Sequence, residues 1–398
     1  MAGLPTAFVA TYGQGRPVIG VLGEYDALPG LSQKAQPVKE ALQPGAPGQG
    51  CGHNLLGTAA LSSALAIKEL IESGKLKGTI RFYGTPAEEV TGGKVYMVRA
   101  GLFDDLDACL TWHPGAKTRV AVDSSQAIVE FIIEFFGQTA HAAGDPWDGR
   151  SAVAAMELYT AGLNRMREFV RPTVRMHYAI LDGGDVPNVV PAYARLWCWL
   201  RDSKGTGVQQ LLERANHLAE GAALMAEVEQ KLTVHGGNWE TLVNLTGEKL
   251  IFNNMNWLGP INFTPEEQEF TKEIQKSLGL EPKGLDGKVE PWAEPKPDPD
   301  GGSTDVGDVS WQVPTLSFNV TTAPLDTPWH AWPVVACGRM SIGHKGLIYA
   351  ARVLAATMVD LYENPEYIQA MKKEFEQKRK GVVYKPFIPE GPPVIIKK

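Results

Sequence analysis

Short apolar runs that alternate with a helix-type segment constrain the fold of this chain more than any other feature. The runs cover residues 16–23, 77–83 and 108–112, and each has the length of a strand. Residues 54–74, between the first two runs, carry apolar side chains at helical spacing and end in a glycine. Strands that alternate with helices predict an α/β domain with a mostly parallel sheet.

Polar residues follow each of these apolar runs. Ligands of a parallel α/β sheet bind beyond the carboxyl ends of its strands, where the connecting loops meet at one edge. We therefore expect a functional site at that edge, built from the polar residues in these loops, which are Asp26, Glu88 with Glu89, and His113.

The pattern changes near residue 124. Apolar periodicity then predicts strand, helix, two strands, helix and strand, at residues 127–136, 150–168, 174–180, 192–200, 208–224 and 228–234. This β-α-β-β-α-β order is that of a ferredoxin-like unit. We predict that residues 124–237 form a second domain, inserted into a first domain made of residues 1–123 and 238–398. In the last part we expect one strand at 315–320 and a helix at 345–362.

Composition excludes several classes of protein. Hydrophobic residues make up 44% and charged residues 21%, which is the balance of a globular chain with a sizeable core. The net charge is -7 and there is no basic block, so we expect no nucleic-acid partner. The N-terminus lacks the basic and apolar regions of a signal peptide, and charges interrupt the apolar stretch at 346–362. We therefore expect no membrane partner and a cytoplasmic protein.

Two adjacent carboxylates, Glu88 and Glu89, are the first candidates for chemistry. Neighbouring side chains at the end of a strand point in different directions, so one carboxylate could bind a metal while the other faces a water molecule. The alternative is a solvated acidic pair at the start of a helix, where the helix dipole favours negative charge.

Potential metal ligands of the soft and borderline kind lie in turns of the same domain. Cys51 and His53 are two residues apart in a glycine-rich turn, so both could reach one metal ion. His113 precedes a proline, and His330 lies between two tryptophans. Asp26 could orient a ligand histidine. Each residue alone could be structural, but together they favour a zinc site, with manganese, cobalt or nickel as substitutes.

At this point the chain resembles a known family, the dinuclear-metal exopeptidases and amidohydrolases. That family includes aminoacylases, indole-acetyl-amino-acid hydrolases and glutamate carboxypeptidases. The matching motifs occur in the family's order and cover nearly the whole chain: Glu-Tyr-Asp-Ala-Leu-Pro from residue 24, Cys-Gly-His-Asn from 51, Pro-Ala-Glu-Glu from 86, Trp-His-Pro from 112, Ala-His-Ala-Ala from 140, Asn-Val-Val-Pro from 188, Gly-Ser-Thr-Asp from 302 and Thr-Pro-Trp-His from 327. The first two motifs resemble in particular the p-aminobenzoyl-glutamate hydrolase branch.

The resemblance implies a catalytic α/β domain with an inserted ferredoxin-like lid and dimerisation domain. It implies two divalent metal ions per subunit, zinc or manganese, held by Cys51, His53, Glu89, His113 and His330, with Cys51 as the bridging ligand. Glu88 would be the general base and Asp26 would orient a ligand. His141 and Asn188 would contact the substrate, often across a homodimer interface. The backbone near Gly302 and Ser303 would help to hold a substrate carboxylate.

The expected activity is hydrolysis of the amide bond of a small molecule, an N-acyl amino acid of the p-aminobenzoyl-glutamate kind. A dipeptidase or carboxypeptidase using the same site is the nearest alternative. A partner subunit of a heteromer, binding metal without its own activity, is an alternative of another class. A serine hydrolase is disfavoured because the chain has no G-x-S-x-G motif. Two positions depart from the family pattern, Asn54 where Asp is common and Trp329 where Gly is usual.

Overall fold

The computed structural model describes residues 1–90, 92–299 and 302–393. Contacts group the chain into two compact units. Unit 1 comprises residues 1–123, 242–296 and 309–381, and unit 2 comprises the described residues of 124–241, 297–308 and 382–398. The domain limits drawn from the sequence, at residues 123/124 and 237/238, stay a prediction.

The main sheet of unit 1 has five strands and is mostly parallel, as predicted. Its order is β1 (Phe8–Gln14), β3 (Gly78–Thr85), β2 (Val18–Glu24), β4 (Ala108–Leu110) and β11 (Thr315–Leu316). Only the edge strand β1 pairs antiparallel with its neighbour. All residues of β2 are buried, which explains why this strand reads as a continuous apolar run rather than an alternating one.

Helices flank this sheet. They are α1 (His53–Glu72), α2 (Gly93–Arg99), α5 (Leu245–Leu258), α6 (Pro265–Ser277), α8 (Trp332–Gly338), α9 (Ser341–Glu363) and α10 (Pro365–Arg379), and the short α7 (Val306–Ser310) precedes β11. By length and composition alone, α1 could cross a membrane. Core helices of globular proteins share that composition, and here Leu56, Ala60 and Ile67 of α1 are fully buried in the core of unit 1.

A second sheet of unit 1 corrects one prediction. The single strand expected at 315–320 is divided between β11 of the main sheet and β12 (Phe318–Thr321), which pairs with β5 (His113–Gly115) and β6 (Arg119–Val120). The chain changes sheets at Ser317, whose N–H donates to the buried Glu248 Oε1 at 2.8 Å. A buried carboxyl group from α5 therefore replaces the strand partner at the break.

Unit 2 has the predicted β-α-β-β-α-β order. Its elements are β7 (Ala127–Phe136), α3 (Ala152–Met166), β8 (Arg175–Asp182), β9 (Tyr193–Asp202), α4 (Gly205–Ala226) and β10 (Glu229–Asn238), with short 3-10 helices at Pro146–Asp148 and Arg167–Phe169. The sheet order is β10-β7-β9-β8 and all neighbours are antiparallel. This arrangement confirms the ferredoxin-like fold.

Candidate metal centre

The loops after β2 and β3 meet beyond the carboxyl ends of these strands. Asp26 follows β2, and its Oδ2 atom accepts a hydrogen bond of 3.0 Å from the Glu89 N–H, in the loop after β3. Ala87, in that second loop, has a φ of +64°, an uncommon conformation for a residue with a side chain. The predicted gathering of polar residues at this edge is therefore present in unit 1.

A tight turn places the Cys51 thiol and the His53 imidazole side by side. Gly52 between them has a φ of +81°, and a Cβ atom there would lie 2.9 Å from Pro114 Cγ, so the turn requires glycine. His53 begins α1 and is buried. The Cys51 Sγ atom lies 3.3 Å from His113 Nε2, and His113 Nδ1 donates to its neighbouring carbonyl, Pro114 O, at 2.7 Å. The unprotonated Nε2 of His113 therefore faces the thiol.

Carboxylates flank both nitrogens of the His53 ring. Nδ1 lies 2.8 Å from Asp26 Oδ1, and Nε2 lies 3.1 Å from Glu24 Oε2. The other oxygen of Glu24 pairs with Lys94 Nζ at 2.7 Å. Burial alone would lower the pKa of His53, but the two carboxylates raise it to about 12. Burial would raise the pKa of Glu24, but Lys94 and His53 lower it below its usual value.

Three groups of side chains could each hold a metal ion. They are Cys51 with His53 and His113, Cys51 with Glu89 and His330, and His53 with Glu88 and Glu89. Within each group the ligand atoms lie within 4.8 Å of one another. Bonds of about 2.0–2.3 Å to a shared zinc ion permit such separations after small adjustments. Cys51 belongs to two of the groups, which is the property expected of a bridging ligand.

The position of Glu89 gives a direct test of fit to a cation. Its Oε1 atom is buried and has no hydrogen-bond partner in the described part of the chain, although it lies 3.3 Å from His330 Nε2. A buried carboxylate oxygen without a partner costs free energy that a bound cation would recover. His330 has a φ of +57°, its N–H donates to Gly50 O at 3.1 Å, and its side chain is 53% exposed. The residues present thus fit a metal centre.

The electrostatics of the centre point the same way. Burial raises the pKa of the Cys51 thiol to about 12, so the thiol is protonated at neutral pH unless a cation stabilises the thiolate. Burial and the nearby His53 charge lower the pKa of His113, which keeps this ring neutral. A neutral imidazole and a thiolate are the forms that bind metal.

The sequence did not single out Glu24 or Lys94, although both are buried next to a proposed ligand. The position of Glu24 at the end of an apolar strand was the available signal. Nothing local marks Lys94 as a buried residue. Trp329 lies near His113, with 6.4 Å between ring centroids, so it does line this region of unit 1. Asn54, the other departure from the family pattern, follows His53 directly, and its side chain is exposed at the start of α1.

The predicted substrate-contacting residues lie in unit 2. His141 and Asn188 are both exposed, and the backbone joins their two segments through a bridge between His141 and Val189. His141 Nδ1 accepts hydrogen bonds from the backbone N–H groups of Ala143 (3.2 Å) and Gly144 (2.9 Å). The proton of the neutral ring is therefore on Nε2, which can act as a donor.

Gly302 and Ser303 lie in a segment held by unit 2. Gly302 O accepts from the Gln126 N–H at 2.9 Å, and Ser303 Oγ accepts from the Arg201 guanidinium at 3.0 Å. Burial lowers the pKa of Arg201, and no carboxylate of the described residues forms an ion pair with it. The sequence did not single out Arg201, which adds a positive charge beside Ser303.

Comparisons with known proteins agree with this geometry. The family model described as "Peptidase family M20/M25/M40" matches residues 20–378. The chain is 40% identical to one of the two kinds of subunit of the p-aminobenzoyl-glutamate hydrolase of Escherichia coli, over 94% of this chain and 83% of that protein. It is 27% identical to the Xaa-Arg dipeptidase of Mus musculus, over 94% and 79% of the two chains. A dinuclear metal-binding peptidase of the M20 family from Bacillus subtilis shares the fold, with a TM-score of 0.60, 19% identity and coverage of 90% and 85%.

Proposed function

The chain belongs to peptidase family M20/M25/M40 and is a hydrolase of amide bonds, and from this premise we propose that it cleaves an N-acyl amino acid of the p-aminobenzoyl-glutamate kind. The observation that carries the proposal is the meeting of Cys51, His53, Glu89, His113 and His330 around a shared thiol in unit 1. Glu88 stands beside this set, as a general base should.

We propose that Cys51 is shared between two divalent ions, with His53 and His113 on one side and Glu89 and His330 on the other. The thiolate and imidazole ligands favour zinc, and manganese is the second candidate. When bound, the ions would supply Lewis acidity and lower the pKa of a water molecule. Asp26 would keep the His53 ring in its orientation through the 2.8 Å contact at Nδ1.

Glu88 is proposed to move the proton. Its carboxylate lies within 4.8 Å of the ligand atoms of His53 and Glu89, so it can face a water molecule held at the centre. The carboxylate would take a proton from that water and pass it to the leaving nitrogen. Proton transfer by a positioned side chain contributes about 10²–10⁴-fold to a rate.

Residues of unit 2 are proposed to bind the substrate. The Nε2–H group of His141 is the free donor of that ring, and we assign it to the oxyanion that forms during amide hydrolysis. Asn188 and the backbone near Gly302 and Ser303 would hold the carboxylate of the substrate. Arg201 supports that assignment, because its guanidinium contacts Ser303 and provides the positive charge that a carboxylate requires.

The substrate class is tested by offering p-aminobenzoyl-glutamate, other N-acyl amino acids and Xaa-Arg dipeptides in parallel to the zinc- and the manganese-loaded protein. We expect the highest kcat/KM for an N-acyl amino acid. Faster cleavage of the dipeptides would favour the dipeptidase alternative, which the similarity to the mouse enzyme supports. An N-acyl amine without the carboxylate is the matched control and should be cleaved poorly.

The assembly and the cellular location are also proposals. A homodimer through unit 2 is our first expectation, and a heteromer is the second, because the similar Escherichia coli protein is named as a subunit. Activity of the purified chain alone with added metal would support the homomeric enzyme. Activity that requires a second, different chain would identify this protein as one part of a heteromer. A cytoplasmic location remains a prediction of the sequence.

A further inference from the structure

A fully buried lysine lies behind the metal centre. Lys94 belongs to α2 and has no exposed surface, and its Nζ atom is 2.7 Å from Glu24 Oε1. Glu24, at the end of β2, is itself only 2% exposed. Buried lysines are rare, because removing the charge from water is costly unless a partner of opposite charge is present. The pair is therefore a built feature of unit 1.

Glu24 places its second oxygen against a proposed ligand. Its Oε2 atom is 3.1 Å from His53 Nε2, whereas the Nδ1 side of the same ring is taken by Asp26 at 2.8 Å. Asp26 is fixed further by the Glu89 N–H at 3.0 Å. With Nδ1 donating to Asp26, Nε2 is the nitrogen left for a metal ion. Glu24 Oε2 consequently stands beside the position that an ion on Nε2 would take.

Despite this closeness, Glu24 is in none of the three groups of described residues whose ligand atoms could share one ion. An ionised carboxylate next to a divalent ion binds it readily unless another charge holds the carboxylate in place. Lys94 is the cation that contacts Glu24 directly. A hydrolytic metal centre needs an open position for water and substrate, which a further carboxylate ligand would fill.

We propose that Lys94 is a positioning residue that holds Glu24 beside His53 and outside the coordination sphere of the metal, so that a coordination position stays open for water and substrate. The inference rests on the metal site assigned under the proposed function. It predicts that loss of the lysine charge turns Glu24 into an additional ligand.

The test uses cobalt as the metal probe in the full-length protein. Four-coordinate cobalt absorbs visible light more strongly than five- or six-coordinate cobalt, so an added ligand weakens the absorption. We expect Lys94→Met to weaken the cobalt absorption, to bind cobalt at least as tightly as the wild type, and to lose about 10–100-fold in kcat, the usual effect of residues behind a metal ligand. The double variant Glu24→Gln/Lys94→Met, whose pair is neutral, should recover the wild-type spectrum.

Controls separate the possible failures. Lys68→Met removes a lysine from an exposed pair with Glu72 and should change neither spectrum nor affinity. If Lys94→Met does not fold, Lys94→Gln keeps a hydrogen-bond donor without the charge and should give the same spectral change. Wild-type protein that binds no cobalt would contradict the proposed metal site itself. Wild-type cobalt binding with unaltered spectra in the folded Lys94 variants would overturn the role of Lys94 alone.

Discussion

The metal centre of unit 1 and the proposed substrate residues of unit 2 differ in how firmly the chain holds them. His53 is buried, and both of its ring nitrogens face fixed carboxylates. His141 is exposed, and only its Nδ1 atom is held, by two backbone N–H groups. A buried network of charges is costly to disturb, whereas an exposed side chain can be replaced at little structural cost. Substitutions in unit 1 should therefore alter metal binding, and substitutions in unit 2 should alter kinetics alone.

Metal removal is the most severe test of the comparison. Because Cys51, His53, Glu89, His113 and His330 are assigned to metal ions, dialysis against EDTA should abolish amide hydrolysis. Added zinc or manganese should restore it, and metal analysis of the same samples should follow the activity. Full activity in protein shown to be free of metal would remove the basis for assigning unit 1 as the metal-binding region.

Glu88→Ala should have the next largest effect. The loss of the general base should lower kcat by about 10²–10⁴-fold while leaving the metal content nearly unchanged. Glu89→Ala is the matched control, since the neighbouring carboxylate is assigned to the metal and its loss should reduce metal content. The assignment is reversed if Glu88→Ala loses metal and Glu89→Ala retains both metal and rate.

His141→Ala carries the comparison to unit 2. It should lower kcat by about 10²–10³-fold, the effect of one lost oxyanion donor, with unchanged metal content and thermal stability. If His141 acts across a dimer interface, mixing this variant with Glu88→Ala subunits should restore activity, because some dimers then contain one intact site. A mixture that stays inactive after proven subunit exchange would show that His141 does not act in the partner.

Much of the fold could be predicted because each layer has its own periodicity. The alternation of strand and helix in unit 1 and the β-α-β-β-α-β order in unit 2 are both readable from apolar spacing. The break at Ser317 was not, since it depends on a buried carboxyl group from the distant Glu248. Helix α6 was overlooked although its start has a local signal, a capping box of Thr264 and Glu267 with Pro265 at the first position.

The site was predictable to a similar depth. Motifs identified the residues that the structure brings together, because Cys51, His53, His113 and Glu89 lie in turns directly after strands or before a helix. The pair of Glu24 and Lys94 was missed, because burial of a lysine depends on a carboxylate that is far away in sequence. The donor state of His141 was also not readable, since it is set by backbone N–H groups of the following turn.

The pH dependence of metal binding should distinguish the two regions most finely. Burial raises the pKa of Cys51 to about 12, and the carboxylates around His53 raise its pKa to about 12 against the effect of burial. Both groups therefore carry a proton near neutral pH in the metal-free protein, and both must release it to bind a metal. Since two protons leave, the apparent dissociation constant should fall by about a hundredfold for each unit of rising pH.

Competition with a chelator between pH 6 and pH 8, corrected for the chelator's own protonation, would measure this slope. Cys51→Ser removes one of the two released protons, so its slope should be about tenfold per pH unit. His141→Ala should keep the full slope, because no residue of unit 2 is assigned to the metal. An affinity independent of pH in the wild type would show that Cys51 and His53 do not bind the ion in their deprotonated forms. A slope that changes in His141→Ala would instead break the division of roles between the two units.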